Sequence, residues 1–262
     1  MEKWSMRSPK PGGLLLPTGG DVSKDAKFIV AATVQAFGRV DILINNAGIL
    51  GRISSHDDVD AASFMRVMEV SVLGTTMMTS AVYDLMAKQK YGRIINISSN
   101  AVYGFGAGGD SAYAASKGAT FAITRELGRY SERDGIKING VLPSGTSRMT
   151  TIAPGTKKVT ETYFDPTKIA PFVVVLASRE CPISGELFSV GAGRAARETF
   201  ATFPGAVNKS TAEEYLENWD EVQGKIGNVY LPTGCLDHVK YMIRNALGEE
   251  MEEIEGFGLA SN

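Results

Sequence analysis

Three short apolar runs, at residues 40–44, 93–97 and 136–142, alternate with longer stretches whose apolar residues recur at helical spacing. That alternation constrains the fold more than any other feature of the chain. Runs of this length, rich in Ile, Val and Leu and bounded by loop residues, read as strands buried on both faces. Before the first of them, Phe28, Ile29, Ala32, Val34 and Phe37 mark a helix over 26–37 that opens after Asp21-Val22-Ser23 and stops at Gly38. Further helices are expected at about 61–88, 111–131 and 166–178, the last packed by Ile169, Phe172, Val173 and Leu176. Residues 186–190, before Gly191-Ala192-Gly193, read as the last strand, and 14–16 as a short one. Strands alternating with helices predict an α/β fold, a doubly wound parallel sheet with ligands at the carboxyl ends of its strands.

At 262 residues and 44% hydrophobic, the chain can bury one sizeable core. We expect a polar, disordered leader at 1–13, one main domain at 14–193, and an acidic, loop-rich extension at 194–262 with amphipathic helices at 212–226 and 236–254. A net charge of −2 with both signs dispersed leaves no basic stripe, so nucleic acid is not expected as a partner. The longest apolar runs, such as 169–177, fall short of the ~20 residues that a spanning helix needs. Residues 1–10 are too polar for a signal peptide, so no membrane partner and a cytoplasmic location are expected. Cys181 and Cys235 lack metal-ligand spacing, and His56 and His238 are too few for a histidine metal site or a Ser-His-Asp triad.

Chemistry concentrates in three segments, each just after a strand: Asn45-Asn46-Ala47-Gly48, Ser98-Ser99, and 143–148. A fourth, Tyr113-Ala114-Ala115-Ser116-Lys117, opens the third helix and places a lysine one turn from a tyrosine. Near its ordinary pKa of about 10 a tyrosine is a poor base, and a neighbouring cation brings the phenolate within reach of neutral pH.

In this order, these segments resemble the short-chain dehydrogenase/reductase family over residues 21–193. Residues 37–43, 147–150 and 185–193 resemble its 3-hydroxyacyl-CoA dehydrogenase branch. The resemblance implies an N-terminally truncated Rossmann-like domain that interconverts a secondary alcohol and a ketone, such as a 3-hydroxyacyl thioester, with NAD or NADP, NAD being favoured. Tyr113 would be the general acid/base, Lys117 would lower its pKa and hold the nicotinamide ribose, and Ser99 would hydrogen-bond the substrate oxygen. Ser98 rivals Ser99, because the interval from Ser99 to Tyr113 is one residue longer than usual. Asp21 and Val22 would meet the adenine, Asn45 and Asn46 the cofactor ribose, and Thr146 the nicotinamide carboxamide, with Ser144 standing where glycine is common. A homo-oligomer, dimer or tetramer, would form through helices 61–88 and 111–131.

Two departures from the family pattern stand out. Its fourth catalytic position, commonly asparagine, aligns with Ser71, and residues 1–20 hold no strand, glycine-rich loop and helix for the cofactor's pyrophosphate. A strand at 40–44 therefore lacks its usual inner neighbour. Either residues 14–16 move in beside it or the chain is an incomplete product. The alternative to an enzyme is a catalytically silent Rossmann-like subunit.

Overall fold

The computed structural model describes residues 14–53, 57–104, 111–152, 154–200, 206–207, 209–224, 230 and 235–248. The expected leader at 1–13 and His56 lie outside them.

Five strands form one sheet in the order β1 (Ile42–Asn45), β2 (Gly92–Ile97), β3 (Ile136–Pro143), β4 (Leu187–Gly191) and β5 (Arg194–Glu198). The first four are parallel, with Ile44 level with Ile95 and Asn96 level with Gly140. β5 runs antiparallel to β4 after a turn at Ala192 and Gly193, both in the left-handed region. The expected last strand is therefore followed by another. Arg194 and Arg197 gave residues 194–198 a polar look, which an edge strand with one wet face tolerates.

Helix α1 (Ala26–Phe37) ends on Gly38, whose N–H closes onto the Val34 carbonyl in left-handed geometry. It lies with α3 (Gly74–Gln89) on one face of the sheet, around Val30, Met78, Val82, Met86, Ile94, Ile136 and Ile138. α4 (Ser111–Ser131) shares that face, and Phe121 packs on Leu142 and Leu187. α6 (Ala170–Ala177) covers the other, where Leu176 meets Ile95, Val141 and Val190. Adjacent residues Ile94 and Ile95 thus serve opposite cores, as a strand buried on both faces requires.

Instead of one regular helix over 61–88, the chain forms α2 (Ala61–Met68), a π-helical turn (Glu69–Leu73) and α3. The expected helix at 166–178 is a 3-10 turn (Pro166–Lys168) followed by α6. Between β3 and the 3-10 turn at Pro166–Lys168 the chain also forms α5 (Pro154–Tyr163). The extension carries α7 (Ala212–Glu217), α8 (Trp219–Gln223) and α9 (Cys235–Leu247). α9 is packed rather than peripheral: Val239, Met242 and Ile243 join Val159 and Phe164 in a third core. Among the described residues no helix is long and apolar enough to cross a membrane.

The expectation that residues 14–16 pair with the first strand is wrong. Leu14, Leu15 and Leu16 are 86%, 62% and 44% exposed and form no strand, and Ile42 and Ile44 are 46% and 47% exposed along an edge with no partner among the described residues. Pro17 lacks an N–H, and the Asp21 N–H bonds the Asp25 carboxylate, leading the segment toward α1. A three-residue strand gains too few hydrogen bonds to offset about 1–2 kcal/mol of backbone entropy per residue ordered.

Candidate active site

Parallel order in β1 to β3 brings the segments that follow them to one rim. Lys117, on the first turns of α4, points inward beneath it and is 5% exposed. Its Nζ donates to the Ile97 carbonyl at 2.9 Å and sits 5.5 Å from the centroid of the half-buried Tyr113 ring. Burial lowers its pKa from 10.5 to about 8, because the cation has lost most of its water.

Two further residues border the space beside this ammonium. A Cβ built on Gly48 would lie 3.4 Å from Lys117 Nζ and 3.7 Å from Ser71 Oγ, so all three face one small space. Ser71 is presented by the π-helical turn, and its hydroxyl is buried with no hydrogen-bond partner among the described residues. π-Turns recur at functional sites because the extra residue re-aims a side chain out of the helical register.

The serine pair separates cleanly. Ser98 is buried and donates its hydroxyl proton to the Lys117 carbonyl at 2.8 Å, tying the end of β2 to α4. Ser99 is only half-buried and caps the 3-10 turn at Asn100–Tyr103, accepting from the Ala101 N–H at 3.2 Å. That role leaves its own proton available to a ligand. Between Ser99 and Tyr113, only Gly104 of the glycine-rich residues 104–109 is among the described residues.

Val22, Asn45 and Asn46 line a neighbouring cleft of about 60 Å³ together with Ala47, Val70 and Gly74. Gly74 is needed there, since a Cβ would come within 2.5 Å of Val22 Cγ2. The Asn45 side chain turns inward, donating to Asn96 Oδ1 at 2.9 Å and Thr79 Oγ1 at 3.2 Å, while Asn46 is exposed. Asp21 accepts from the Ser23 N–H and hydroxyl and from Arg66 Nη2 at 2.6 Å. Those bonds, Ser23's first and Arg66's next, hold its carboxyl well below the ordinary range.

Thr146 stands apart from this group. Its hydroxyl donates to the carbonyls of Thr160 and Phe164, and its N–H also bonds Phe164, clasping the post-β3 loop to α5. The sequence reading missed Asn100, which donates to Ser144 Oγ at 2.8 Å and joins the post-β2 and post-β3 loops. The helix expected from 236 onward is α9, but its packing was missed: Met242 lies beneath both residues. The spacing of His238 and Met242, one turn apart among apolar neighbours, was the available signal.

The model of the short chain dehydrogenase family matches residues 9–158, more than half of the chain. The peroxisomal hydratase-dehydrogenase-epimerase of Saccharomyces cerevisiae is 32% identical over 230 residues, which are 84% of this chain and 25% of that protein. This chain thus spans about a quarter of that relative's length. The solved structure of levodione reductase superposes with a TM-score of 0.61 at 27% identity, over 67% of this chain and 75% of that one. That of 3-ketoacyl-(acyl-carrier-protein) reductase from Brucella melitensis complexed with NADH superposes at 0.59 and 27%, over 66% and 76%. With a tyrosine and a buried lysine one turn apart at the rim of a parallel sheet, and a family model covering most of the residues that build that rim, the chain belongs to the short chain dehydrogenase family.

Proposed function

We propose that this chain moves hydride between a nicotinamide cofactor and a secondary alcohol or ketone, with Tyr113 exchanging the proton. The observation that carries this reading is Lys117 Nζ, a buried ammonium with one carbonyl partner, beside the Tyr113 ring and the space kept open by Gly48.

The residues present fit the nicotinamide-ribose end of such a cofactor. Ser71 offers a buried hydroxyl without a partner, Lys117 offers donors for ribose hydroxyls, and Gly48 leaves the space between them unfilled. Val22 and Val70 give the adjoining cleft an apolar wall suited to one face of an adenine ring. Among the described residues, no glycine-rich loop between a strand and a helix is present for the diphosphate. When bound, the cofactor supplies the hydride donor or acceptor. Tyr113 holds the proton that the substrate oxygen gains or gives up, and the Lys117 charge favours the phenolate form. With a pKa of about 8 the lysine still keeps its proton near neutrality. The Ser99 hydroxyl orients the substrate oxygen, and the engagement of Ser98 with α4 supports that choice.

For the substrate we favour a 3-oxoacyl or 3-hydroxyacyl thioester, on the likeness to the yeast multifunctional protein and to the 3-ketoacyl-(acyl-carrier-protein) reductase. We favour NAD over NADP, and the second of those proteins is complexed with NADH. The main domain at 14–193 holds every residue given a chemical role here. A homo-oligomer through α2–α3 and α4 is supported by exposed Met65 and Leu73 on the first of these surfaces. Cytoplasmic residence stands against relatives that are named peroxisomal, and imaging of the tagged full chain decides between the two compartments.

The test is titration of the purified chain with NADH and NADPH, followed by nicotinamide fluorescence, and then turnover of acetoacetyl-CoA. Micromolar NADH binding that Lys117→Ala weakens, with turnover that Tyr113→Phe removes, is the expected result. No binding up to millimolar cofactor overturns the reading and leaves a silent Rossmann-like subunit.

A further inference from the structure

Away from the lysine, a second buried polar cluster joins the C-terminal part of the chain to the segment that carries Ser99. Tyr103, the last residue of the 3-10 turn capped by Ser99, donates its phenol proton to Glu198 Oε2 at 2.5 Å. Glu198 ends β5, and its Oε1 lies 3.0 Å from His238 Nε2 on α9. The side chains of His238 and Glu198 are 2% and 12% exposed. Burial and the bond to Glu198 hold the Tyr103 phenol far above its ordinary pKa, so it is the donor. The bonds from His238, Ser189 and Tyr103 outweigh the burial of Glu198 and keep its carboxyl below the ordinary range. One buried carboxylate therefore grips a residue from each of two separate segments, and the Tyr103 and His238 rings also touch, with centroids 4.9 Å apart.

One turn further along α9, Met242 Sδ lies 3.8 Å from Asn100 Nδ2 and 3.9 Å from Ser144 Oγ. α9 thus bears on both ends of the Asn100–Tyr103 turn and on the loop after β3. This arrangement is dear to keep if it were only scaffolding. A buried carboxylate loses hydration free energy that apolar packing would not forfeit, and the His238 Nδ1 atom is buried with no partner among the described residues. Directional bonds from a charged acceptor do something that apolar contacts do not: they fix the turn's orientation as well as its position.

Building on the reading of Ser99 as the group that orients the substrate oxygen, we propose that Glu198 is a positioning residue, which through Tyr103 and His238 clamps β5 and α9 onto the 3-10 turn and so sets the place of Ser99. The extension beyond residue 193 is then part of the wall of the active site. Ser99 does not touch Glu198; it is held because its oxygen caps a turn whose far end is fixed.

The variants are Tyr103→Phe, which keeps the ring against His238 and removes one donor, and Glu198→Gln, which removes the charge. Tyr230→Phe is the control, since Tyr230 bonds Asp237 on an exposed part of α9. Turnover of acetoacetyl-CoA with NADH and amide hydrogen exchange at Val102 and Gly104, whose N–H groups close the turn onto Ser99 and Ala101, are measured together. Both clamp variants are expected to lose about 10- to 100-fold in kcat, the scale of a displaced orienting group, with the KM for NADH unchanged. Exchange at Val102 and Gly104 is expected to quicken while amides of β2 and β3 stay protected, and the control is expected to change neither. Unchanged kcat in both variants, or unchanged exchange at the two amides, overturns the proposal. Loss of kcat that merely tracks a uniform loss of protection overturns it as well. A parent chain that neither binds NADH nor turns over the probe fails the functional reading instead, and the exchange at Val102 and Gly104 then decides the clamp alone.

Discussion

Replacing Lys117 by methionine isolates the free energy stored in the buried ammonium. The folded pKa of about 8 lies below the ordinary 10.5, so between those values the unfolded chain binds a proton that the folded chain does not. Stability contributed by this group is therefore present at high pH and is lost as pH falls through 8. Integrating the proton difference between pH 7 and pH 10 gives a rise of about 2.5 kcal/mol in the unfolding free energy of the parent. Lys117→Met, made in a Tyr113→Phe parent so that no neighbouring phenol titrates with it, removes the titration and keeps roughly the same side-chain length. The bond to the Ile97 carbonyl is lost with it, but that moves the whole variant curve by a near-constant amount and leaves its slope alone. Urea unfolding followed by circular dichroism at pH 7, 8, 9 and 10 gives both curves. The parent is expected to gain about 2.5 kcal/mol on the variant across that range, most of it above pH 8. Curves that stay parallel, or a gap that closes as pH rises, would refute the claim that burial has stripped the ammonium of its water. The same desolvation is what makes the charge effective on Tyr113, since a cation in a poorly hydrated site acts on its neighbour with less screening.

Three other outcomes follow from the geometry. Tyr113→Phe is expected to keep NADH affinity within about twofold while lowering kcat by about 10²- to 10⁴-fold, the range for a general acid, as read from titration and turnover. Gly128→Ala places a Cβ 2.4 Å from both Gly185 Cα and N, backbone atoms that cannot swing aside, and is expected to cost about 1–3 kcal/mol or more by calorimetry. Arg66→Ala is expected to raise the Asp21 carboxyl only part of the way to its ordinary range, because Ser23 still donates to it; a carboxyl carbon titration by NMR that shows no rise would exclude the Arg66 contribution.

What the sequence made legible was whatever depends on neighbours along the chain. The helices at 26–37 and 111–131 have the expected ends because Gly38 can take the left-handed conformation and because apolar periodicity marks a buried stripe. The Tyr113–Lys117 pair was visible for the same reason, as a one-turn spacing on a helix. The π-helical turn at Glu69–Leu73 was not, since the same residues are compatible with a regular helix and the bulge is settled by what α2 and α3 pack on. Thr146 was expected to meet the nicotinamide carboxamide, and only the tertiary position of α5 shows its hydroxyl turned toward Thr160 and Phe164.

The largest misreadings, the edge beside β1 and the weight of the extension, share a physical cause. Composition reports how polar a segment is, whereas pairing depends on which partner reaches it. Residues 14–16 are apolar and were expected to find an edge, yet a three-residue strand followed by Pro17 has too little to gain there, and the leucines stay exposed. Residues 194–198 are polar and were passed over, yet a turn at Ala192 and Gly193 delivers them directly beside β4, so that pairing costs almost no loop entropy. The proximity that a tight turn supplies decided both cases against hydrophobicity. It is also what brings Glu198 within reach of Tyr103, placing a residue from the least informative part of the sequence one hydrogen bond from the turn that Ser99 begins.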